Sequence, residues 1–354
     1  MKKQFKIVLL LALIPFLGFS NEPDYIHSKQ KIIKKTYFVN SDAGLYIDNS
    51  YGTISVSTWD EDKTELDIVI KVSGDNENWV SQRLTDINID IVALKGLITA
   101  KTILGNSSYK SNGKNNSFQI NYTLKIPRNG SVKLHNKYGN ITTADLFSEA
   151  EIKCKYGKIA LGRLSGNSNN VLVEYCSNST ISYLKNANIV AKYSNLKIGE
   201  VIKLDLTSDY TDIEIQESEA IKYSSKYGTI KIQNVKSLDA SGNYLTLKIG
   251  ELSNTLKLST KYSNVTIGTI SAKANSIAIA AGYTGLNIGF DANFAFDFNV
   301  SVKYASFKHD NELEIDSKED SNNLKKYSGF YKKKGVNNIT IMSDYGNVTL
   351  LKKQ

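Results

Sequence analysis

The chain has 354 residues and a formal net charge of +9, and its 21 tyrosines contrast with three prolines and two methionines. This length is ample for a large core or for two domains. Its lysines are interleaved with Asp and Glu, whereas nucleic-acid binding needs a basic cluster on one face, so no nucleic-acid partner is expected. The wealth of Tyr, Ile, Val and Thr favours β structure over helix.

The first 20 residues have the layout of a secretory signal peptide. Lys2, Lys3 and Lys6 precede an apolar run over residues 7–17, and Gly18 to Ser20 supplies small residues for cleavage. The run is too short for a stable membrane span. No cysteine follows it, so a lipoprotein anchor is not expected, and no later stretch reaches the length of a transmembrane helix. We therefore expect export across the inner membrane, to the periplasm, the outer membrane or the cell surface.

Residues 21–130 are predicted to form a β-rich leader that caps one end of the molecule. Alternating apolar runs cover residues 66–72, 87–91 and 118–126, and residues 76–84 are compatible with a short helix. Residues 105–116 are rich in Ser, Asn and Gly, which is typical of an exposed hairpin loop. Such a cap hides a sheet edge that would otherwise template aggregation.

The remaining chain is organised by an internal repeat that begins with tyrosine. A typical copy reads Tyr, a small or polar residue, any residue, an aliphatic residue, any residue and a second aliphatic residue, and the copies at Tyr175 and Tyr304 are imperfect. The copies recur at roughly 18-residue intervals, and an outlying copy begins at Tyr51. The tyrosines that carry the repeat are Tyr138, Tyr156, Tyr175, Tyr193, Tyr210, Tyr227, Tyr244, Tyr262, Tyr283, Tyr304 and Tyr345.

Positions around each tyrosine also recur. The residue four before it is apolar, the residue two before it is small, and the residues three and five after it are aliphatic. A period of two on either side predicts two strands with one buried face each, and the shift of phase after the tyrosine predicts a corner. Glycines follow several tyrosines, where a residue without Cβ relaxes the backbone. By this parity the tyrosine rings are expected to pack against the core rather than to form a ligand platform.

A single unit cannot bury its own apolar face, whereas stacked units can. The sequence therefore predicts an all-β fold, a parallel β-helix (solenoid) with coils of about 18 residues over residues 131–308. A charged insertion at 309–335, a loop or a terminal cap, precedes a final coil at 336–354. Calcium-binding rolls, hexapeptide helices, sandwiches and propellers lack this pattern. The handedness stays open.

The search for chemical motifs gives no catalytic, cofactor-binding or metal-binding residue. The three histidines are scattered, and no metal, nucleotide or nucleophile motif is present. Cys154 and Cys176 are expected to remain unbridged, because they fall about three positions out of line in the repeat and point in different directions.

The strongest candidate for an enzyme site is an acidic coil. Its members are Asp205, Asp209, Asp212, Glu214, Glu217 and Glu219. Glycoside hydrolases use carboxylate pairs, but neighbouring coils place Lys192, Lys226, Lys197 and Lys231 at matching positions. Ion pairing between coils is the preferred interpretation, and Asp209, Asp212 and Glu214 are kept as a speculative glycan or ion face.

The signal peptide, the β-rich segment at 120–134 (INYTLKIPRNGSVKL) and the successive Tyr-Gly-x-Ile units resemble the putative adhesin family. That resemblance covers nearly the whole mature chain and implies an exported β-helical protein, common in Bacteroidota and related to autotransporter-adhesin head domains. It brings no catalytic residues.

These features favour a non-enzymatic envelope protein that binds glycans or another envelope protein through a repetitive polar surface. Two other functions stay open at this point. One is a polysaccharide-degrading enzyme that uses residues 205–219, and the other is a periplasmic sensor or scaffold.

Overall fold

The computed structural model describes residues 25–105 and 115–353; the predicted signal peptide and most of the predicted loop at 105–116 lie outside the described residues. The chain is all-β, with one helix, α1 (Glu77–Asp86), among these residues. The strands are β1 (His27–Phe38), β2 (Gly44–Ser50), β3 (Ile54–Trp59), β4 (Lys63–Gly74), β5 (Asn88–Leu94), β6 (Leu97–Ile103), β7 (Asn116–Pro127), β8 (Val132–Lys137), β9 (Ile141–Thr143), β10 (Ala150–Lys155), β11 (Ile159–Leu164), β12 (Asn169–Glu174), β13 (Ser179–Lys192), β14 (Asn195–Asp209), β15 (Asp212–Lys261), β16 (Asn264–Ile270), β17 (Ser276–Gly282), β18 (Gly285–Asp291), β19 (Phe296–Lys303), β20 (Phe307–His309), β21 (Glu314–Ser321), β22 (Leu324–Tyr331), β23 (Asn338–Asp344) and β24 (Val348–Lys353).

Parallel pairing stacks the repeat units into two columns. The first column contains the strand before each repeat tyrosine, so that β2, β8, β10 and β12 pair in succession. The second column contains the strand after it, where β3, β9 and β11 pair in the same way. Within the first column Leu134 pairs with Ile152, and Ile152 with Val171. Equivalent repeat positions are therefore in register, and the open sheet is of a β-solenoid-like type.

The buried faces follow the predicted alternation. Leu134, Ile152, Val171 and Ile189, each four residues before a tyrosine, are at most 2% exposed. The second column contributes aliphatic side chains such as Ile198 and Ile215, which are equally buried. The expected ion pairing between coils is also found, since the side chains of Lys197 and Glu214, each four residues after a repeat tyrosine, form an ion pair of 3.2 Å. One apolar core therefore runs between the two columns.

Four of the five corner glycines have a different cause from the one expected. Gly52, Gly139, Gly157 and Gly346 do not adopt positive φ, whereas Gly228 does, at 137°. A Cβ at Gly139 would stand 1.8 Å from the carbonyl oxygen of Gly52, and one at Gly157 would stand 2.0 Å from that of Gly139. Such contacts are far shorter than van der Waals separations. Glycine at these corners therefore permits neighbouring coils to approach closely, rather than relaxing the backbone.

Residues before the coils close the N-terminal end. In the first column β6 pairs in parallel with β2, and β5 adds antiparallel to β6. In the second column β7 pairs in parallel with β3, followed by antiparallel β4 and then β1. The predicted helix is confirmed as α1, and the side chain of Asn76 caps it by accepting a hydrogen bond from the Trp79 N–H. This end therefore carries extra strands on both columns.

The C-terminal end is built out of sequence order. The last coil, β23 and β24, lies between the coil of β17 and β18 on one side and the coil of β19 and β20 on the other. The charged insertion forms the antiparallel hairpin β21–β22, and β22 pairs with β19. The insertion thus caps the first column. The final coil of the sequence is not the outermost coil in space, because it has a coil on either side.

Candidate functional site

Every tyrosine of the repeat adopts a left-handed backbone conformation. Their φ angles lie between 48° and 62°, an unusual region for residues other than glycine. We call this set the tyrosine stack, and its members in spatial order are Tyr51, Tyr138, Tyr156, Tyr175, Tyr193, Tyr210, Tyr227, Tyr244, Tyr262, Tyr283, Tyr345 and Tyr304. The stack follows the corner between the two columns along the whole series of coils.

The rings of the tyrosine stack lie face to face. Neighbouring ring centroids are 4.5–5.2 Å apart, and from Tyr156 to Tyr262 the interplanar angles are at most 8°. At the N-terminal end Phe118 covers the outer face of Tyr51, with the two centroids 4.8 Å apart. Each inner ring is thus covered on both faces by its neighbours. What the stack presents to solvent is ring edges and hydroxyl groups.

The expectation that these rings pack against the core is wrong. Their exposed fractions range from 37% for Tyr51 to 52% for Tyr283. Parity places the tyrosine on the buried face only if the strand stays extended through it. The left-handed φ breaks that alternation and turns the ring outward at the corner. The platform interpretation, which the sequence disfavoured, therefore agrees better with the exposure of the rings.

Hydroxyl groups one residue after the tyrosine support the corner from inside. Those of Ser194, Thr211, Ser263 and Thr284 each donate to the carbonyl oxygen two residues earlier, at 2.7–2.9 Å. Each hydroxyl oxygen also accepts an N–H from the preceding coil, at 3.0–3.3 Å. The sequence interpretation missed this second ladder, although recurrent Ser or Thr after the tyrosine was its visible signal.

Lysines dominate the position immediately before the tyrosine. They are Lys137, Lys155, Lys192, Lys226, Lys261 and Lys303, and all six are exposed. The acids in the same row are Glu174, Asp209 and Asp344. The ammonium group of Lys137 lies 4.8 Å from the ring centroid of Tyr138, within the range of a cation–π contact. One flank of the stack is therefore mainly cationic.

The hydroxyl group of Tyr210 is a proton donor at neutral pH. Partial burial, followed by the neighbouring Tyr227 and Asp209, raises the pKa of Tyr210 above its ordinary value. A phenol that stays protonated both donates and accepts hydrogen bonds.

The acidic coil is divided by the corner. Asp209 precedes Tyr210 in the first column, whereas Asp212 and Glu214 follow it in the second. Asp212 accepts a hydrogen bond of 2.8 Å from the N–H of Thr229, and Glu214 pairs with Lys197. Asp212 and Glu214 also line a shallow depression of about 410 Å³. The structure thus engages these two acids in bonds between coils.

Glu217 and Glu219 are engaged in the same way, whereas Asp209 is placed by register alone. Glu217 accepts a hydrogen bond of 2.7 Å from the amide of Asn234, and Glu219 pairs with Lys236 at 2.5 Å. Asp209 stands in register between Lys192 and Lys226. Among the described residues, no group of three or more His, Cys, Asp or Glu is placed to hold a metal ion.

The two cysteines lie together, contrary to the expectation that they point apart. Both are buried and free, and Sγ of Cys176 is 3.3 Å from the carbonyl oxygen of Cys154. A hydrogen bond between the thiols lowers the pKa of Cys176 to about 7, and the same bond, together with burial, raises the pKa of Cys154. Cys154 lies two residues before Tyr156, and Cys176 lies one residue after Tyr175, the next tyrosine of the repeat. These two positions of neighbouring coils thus meet inside the corner.

Comparison with known proteins gives structural neighbours only. No protein-family model and no curated protein matches the chain. A putative adhesin from Bacteroides fragilis is 15% identical, with 73% of this chain and 96% of that chain covered and a TM-score of 0.34. One from Parabacteroides merdae is 12% identical, with 92% and 97% covered and a TM-score of 0.34.

A third solved structure, described as a putative cell adhesion protein from Clostridium sporogenes, is 11% identical. The matched region covers 92% of this chain and 100% of the Clostridium chain, with a TM-score of 0.19. These descriptions match the family that the sequence motifs resemble. Within residues 25–105 and 115–353, no helix is long and apolar enough to cross a membrane.

Proposed function

We propose that this chain is a non-enzymatic, exported binding protein of the cell envelope, adhesin-like, whose tyrosine stack holds an extended glycan. The proposal includes a parallel β-helix of about 18 residues per coil as the scaffold. The observation that carries it is the exposure of the tyrosine stack, because a continuous row of exposed aromatic rings is the kind of surface patch that marks a binding site.

The geometry favours recognition by hydrogen bonds along an edge. Aromatic platforms that bind single sugars offer a free ring face, whereas the inner faces of this stack are covered by neighbouring rings. Hydroxyl groups instead recur at the coil spacing of about 4.8 Å, over about 50 Å in all. A linear polymer with regularly spaced hydroxyl groups can engage many of them at once. Weak single contacts then sum to a useful affinity.

The flanking charge favours an acidic glycan over a neutral one. Lysines outnumber acids by six to three in the row beside the stack, and Lys192 and Lys226 lie in register on either side of Asp209, the residue before Tyr210. An ammonium group forms charge-assisted hydrogen bonds with carboxylates. The carboxylate groups of a uronic-acid polymer would therefore contact the lysines while its hydroxyl groups contact the tyrosines.

The test replaces four consecutive tyrosines by phenylalanine. The variant Tyr193→Phe, Tyr210→Phe, Tyr227→Phe and Tyr244→Phe keeps the stacked rings and removes only the hydroxyl groups. We expect binding to polygalacturonate, measured by co-sedimentation, to weaken about tenfold or more, since each lost hydrogen bond contributes roughly 0.5–1.5 kcal/mol. The melting temperature should stay unchanged.

Tyr183→Phe provides the matched control, because Tyr183 lies outside the stack, where the guanidinium of Arg163 is 3.7 Å from its ring centroid. This variant should bind like the wild type. Equal binding by the fourfold variant, or no binding of polygalacturonate by the wild type, would overturn the proposal.

A further inference from the structure

The N-terminal end finishes in a basic edge strand. Among the described residues β1 pairs only with β4, in an uninterrupted antiparallel register over twelve residues. Its other edge therefore carries backbone N–H and C=O groups that pair with no other described strand. The strand contains Lys29, Lys31, Lys34 and Lys35 and no acid. Lys29 pairs with Glu77 and Lys34 with Asp67, so Lys31 and Lys35 are the two for which the described residues show no ion pair.

The C-terminal end finishes in an acidic edge strand. Within the described part of the chain β21 pairs only with β22, and all eight of its residues are exposed. It contains Glu314, Asp316, Glu319 and Asp320 against a single Lys318. Asp316, Glu319 and Asp320 form ion pairs with lysines of the same cap, at 2.9–3.9 Å, and all three stay about half exposed or more.

We propose that copies of this chain associate head to tail through these two edges, the basic β1 of one copy adding to the acidic β21 of the next. A free edge strand is a template for another strand. Opposite charges bring unlike ends together, and like charges keep two N-terminal or two C-terminal ends apart. A contact between two different surfaces of the same molecule does not close on itself unless the copies form a ring, so it propagates as a filament.

Charged side chains on edge strands also serve to prevent association. If both ends carried charge of the same sign, every pairing between the ends of two copies would be repelled. The opposite signs found here block pairing of like ends only. The distribution of charge therefore favours ordered association over simple protection, and the two interpretations differ in what salt and charge reversal do.

The first measurement is sedimentation velocity of the mature chain in 20 mM and 500 mM NaCl. We expect oligomers at low salt and an apparent association constant about tenfold or more weaker at high salt, since screening acts strongly on exposed charges. A monomer at every concentration and salt level would overturn the proposal. So would association that does not depend on salt.

The decisive measurement exchanges the charges of the two ends. The variant Lys31→Glu, Lys34→Glu and Lys35→Glu makes β1 acidic, with three Glu against one Lys, and the variant Glu314→Lys with Glu319→Lys makes β21 basic, with three Lys against two Asp. Each alone should be monomeric at low salt, whereas an equimolar mixture should associate as the wild type does. Their melting temperatures show whether each variant is folded. Association of either variant alone, or none in the mixture of folded variants, would contradict the head-to-tail contact.

Binding to polygalacturonate provides an independent readout. The charge-exchange variants keep the tyrosine stack, so their monomers should bind the polymer with unchanged affinity per site. Failure of self-association therefore leaves the proposed glycan binding untouched, and failure of glycan binding leaves the association data unaffected.

Discussion

The two ends of the molecule share one topology but differ in how they are covered. At the N-terminal end the first coil, β2 and β3, lies inside strands β6 and β7, which come later in the sequence. At the C-terminal end the last coil, β23 and β24, lies inside β19 and β20, which come earlier. The first coil of the sequence, β2 and β3, and the last coil, β23 and β24, are thus each paired with strands on both sides.

The cover itself differs. The N-terminal end adds antiparallel strands to both columns, and helix α1 packs against β4 and β1. The C-terminal end has a hairpin on the first column only, while the second column finishes in the three residues of β20. Its core is instead filled by Phe290, Phe294, Phe296 and Phe298. Aromatic packing thus takes the place of strands, and we expect the C-terminal end to open first.

Deleting residues 336–353 should give the largest effect. It removes β23 and β24, so β20 loses its partner strand and β17, β18 and β19 each keep a partner on one side only, and residues 276–309 should lose protection from hydrogen exchange. Deleting residues 25–38 is the comparison, because β1 pairs on one side only and is mostly exposed. That deletion should leave the coils protected. Retained protection of residues 296–303 after loss of the last coil would contradict the difference between inner and outer strands.

The variant Phe296→Ala tests the aromatic packing at the C-terminal end. This ring is fully buried and its centroid lies 5.0–5.7 Å from those of Phe294, Phe290 and Tyr331. Its loss should lower the free energy of unfolding in urea by about 3–5 kcal/mol. Phe147→Ala, at an exposed ring, should change it little. A similar small change at Phe296 would refute a structural role for the cluster.

The variant Arg83→Met probes the N-terminal end, where the expected effect is smaller. The buried Arg83 guanidinium donates to the carbonyl oxygen of Leu104 at 2.8 Å and lies 4.4 Å from the ring centroid of Phe118. Methionine keeps most of the packing but loses the donor, so unfolding in urea should be easier by about 1–3 kcal/mol. The exposed Arg128, changed to Met in the same way, is the control. If both variants unfold alike, the buried hydrogen bond does not hold this end.

The smallest effect concerns acid stability. The two carboxyl groups with lowered pKa among the described residues, Glu77 and Glu151, both lie in the N-terminal half. A hydrogen bond from Lys153, with further bonds from His135 and Lys133, lowers the pKa of Glu151 to about 2. Its contribution is present above the unfolded-state pKa of about 4.3 and is lost as the pH falls towards 2.

The variant Glu151→Gln should therefore show a slightly flatter loss of stability between pH 4.3 and 2, measured by thermal melting. Glu149→Gln, which changes an exposed neighbouring acid, is the matched variant. A pH profile of Glu151→Gln that coincides with the wild type would show that the ion pairs contribute nothing.

Periodicity in the sequence predicted the register, the buried positions and the ion pair of Lys197 with Glu214. It failed where the backbone leaves the extended conformation. The rule of alternation cannot detect the positive φ of Tyr210 and its equivalents, so it placed the rings inside. The meeting of Cys154 and Cys176 was missed for the same reason, because residue counting treats the two sides of a corner as separate faces.

Spatial order was also beyond the sequence pattern. The copy at Tyr345 looks like a simple continuation after an insertion, yet its ring lies between those of Tyr283 and Tyr304. All three copies carry apolar residues four before and three after the tyrosine, so any order of the three would satisfy the pattern at these positions. The antiparallel pairing of β22 with β19 is a long-range contact, and local sequence does not encode it.

The inner position of β23 and β24 has a consequence for biogenesis. A chain that emerges N-terminus first presents residues 296–309 before residues 338–353 exist, and the place between the two coils must stay vacant until then. If residues 276–282 paired with residues 296–303 earlier, that non-native pairing would have to break before β23 could insert. The native arrangement of this end therefore forms only after the final coil has been synthesised. A prematurely terminated product would keep unpaired edges on β17, β18, β19 and β20, and such edges are templates for association with other strands.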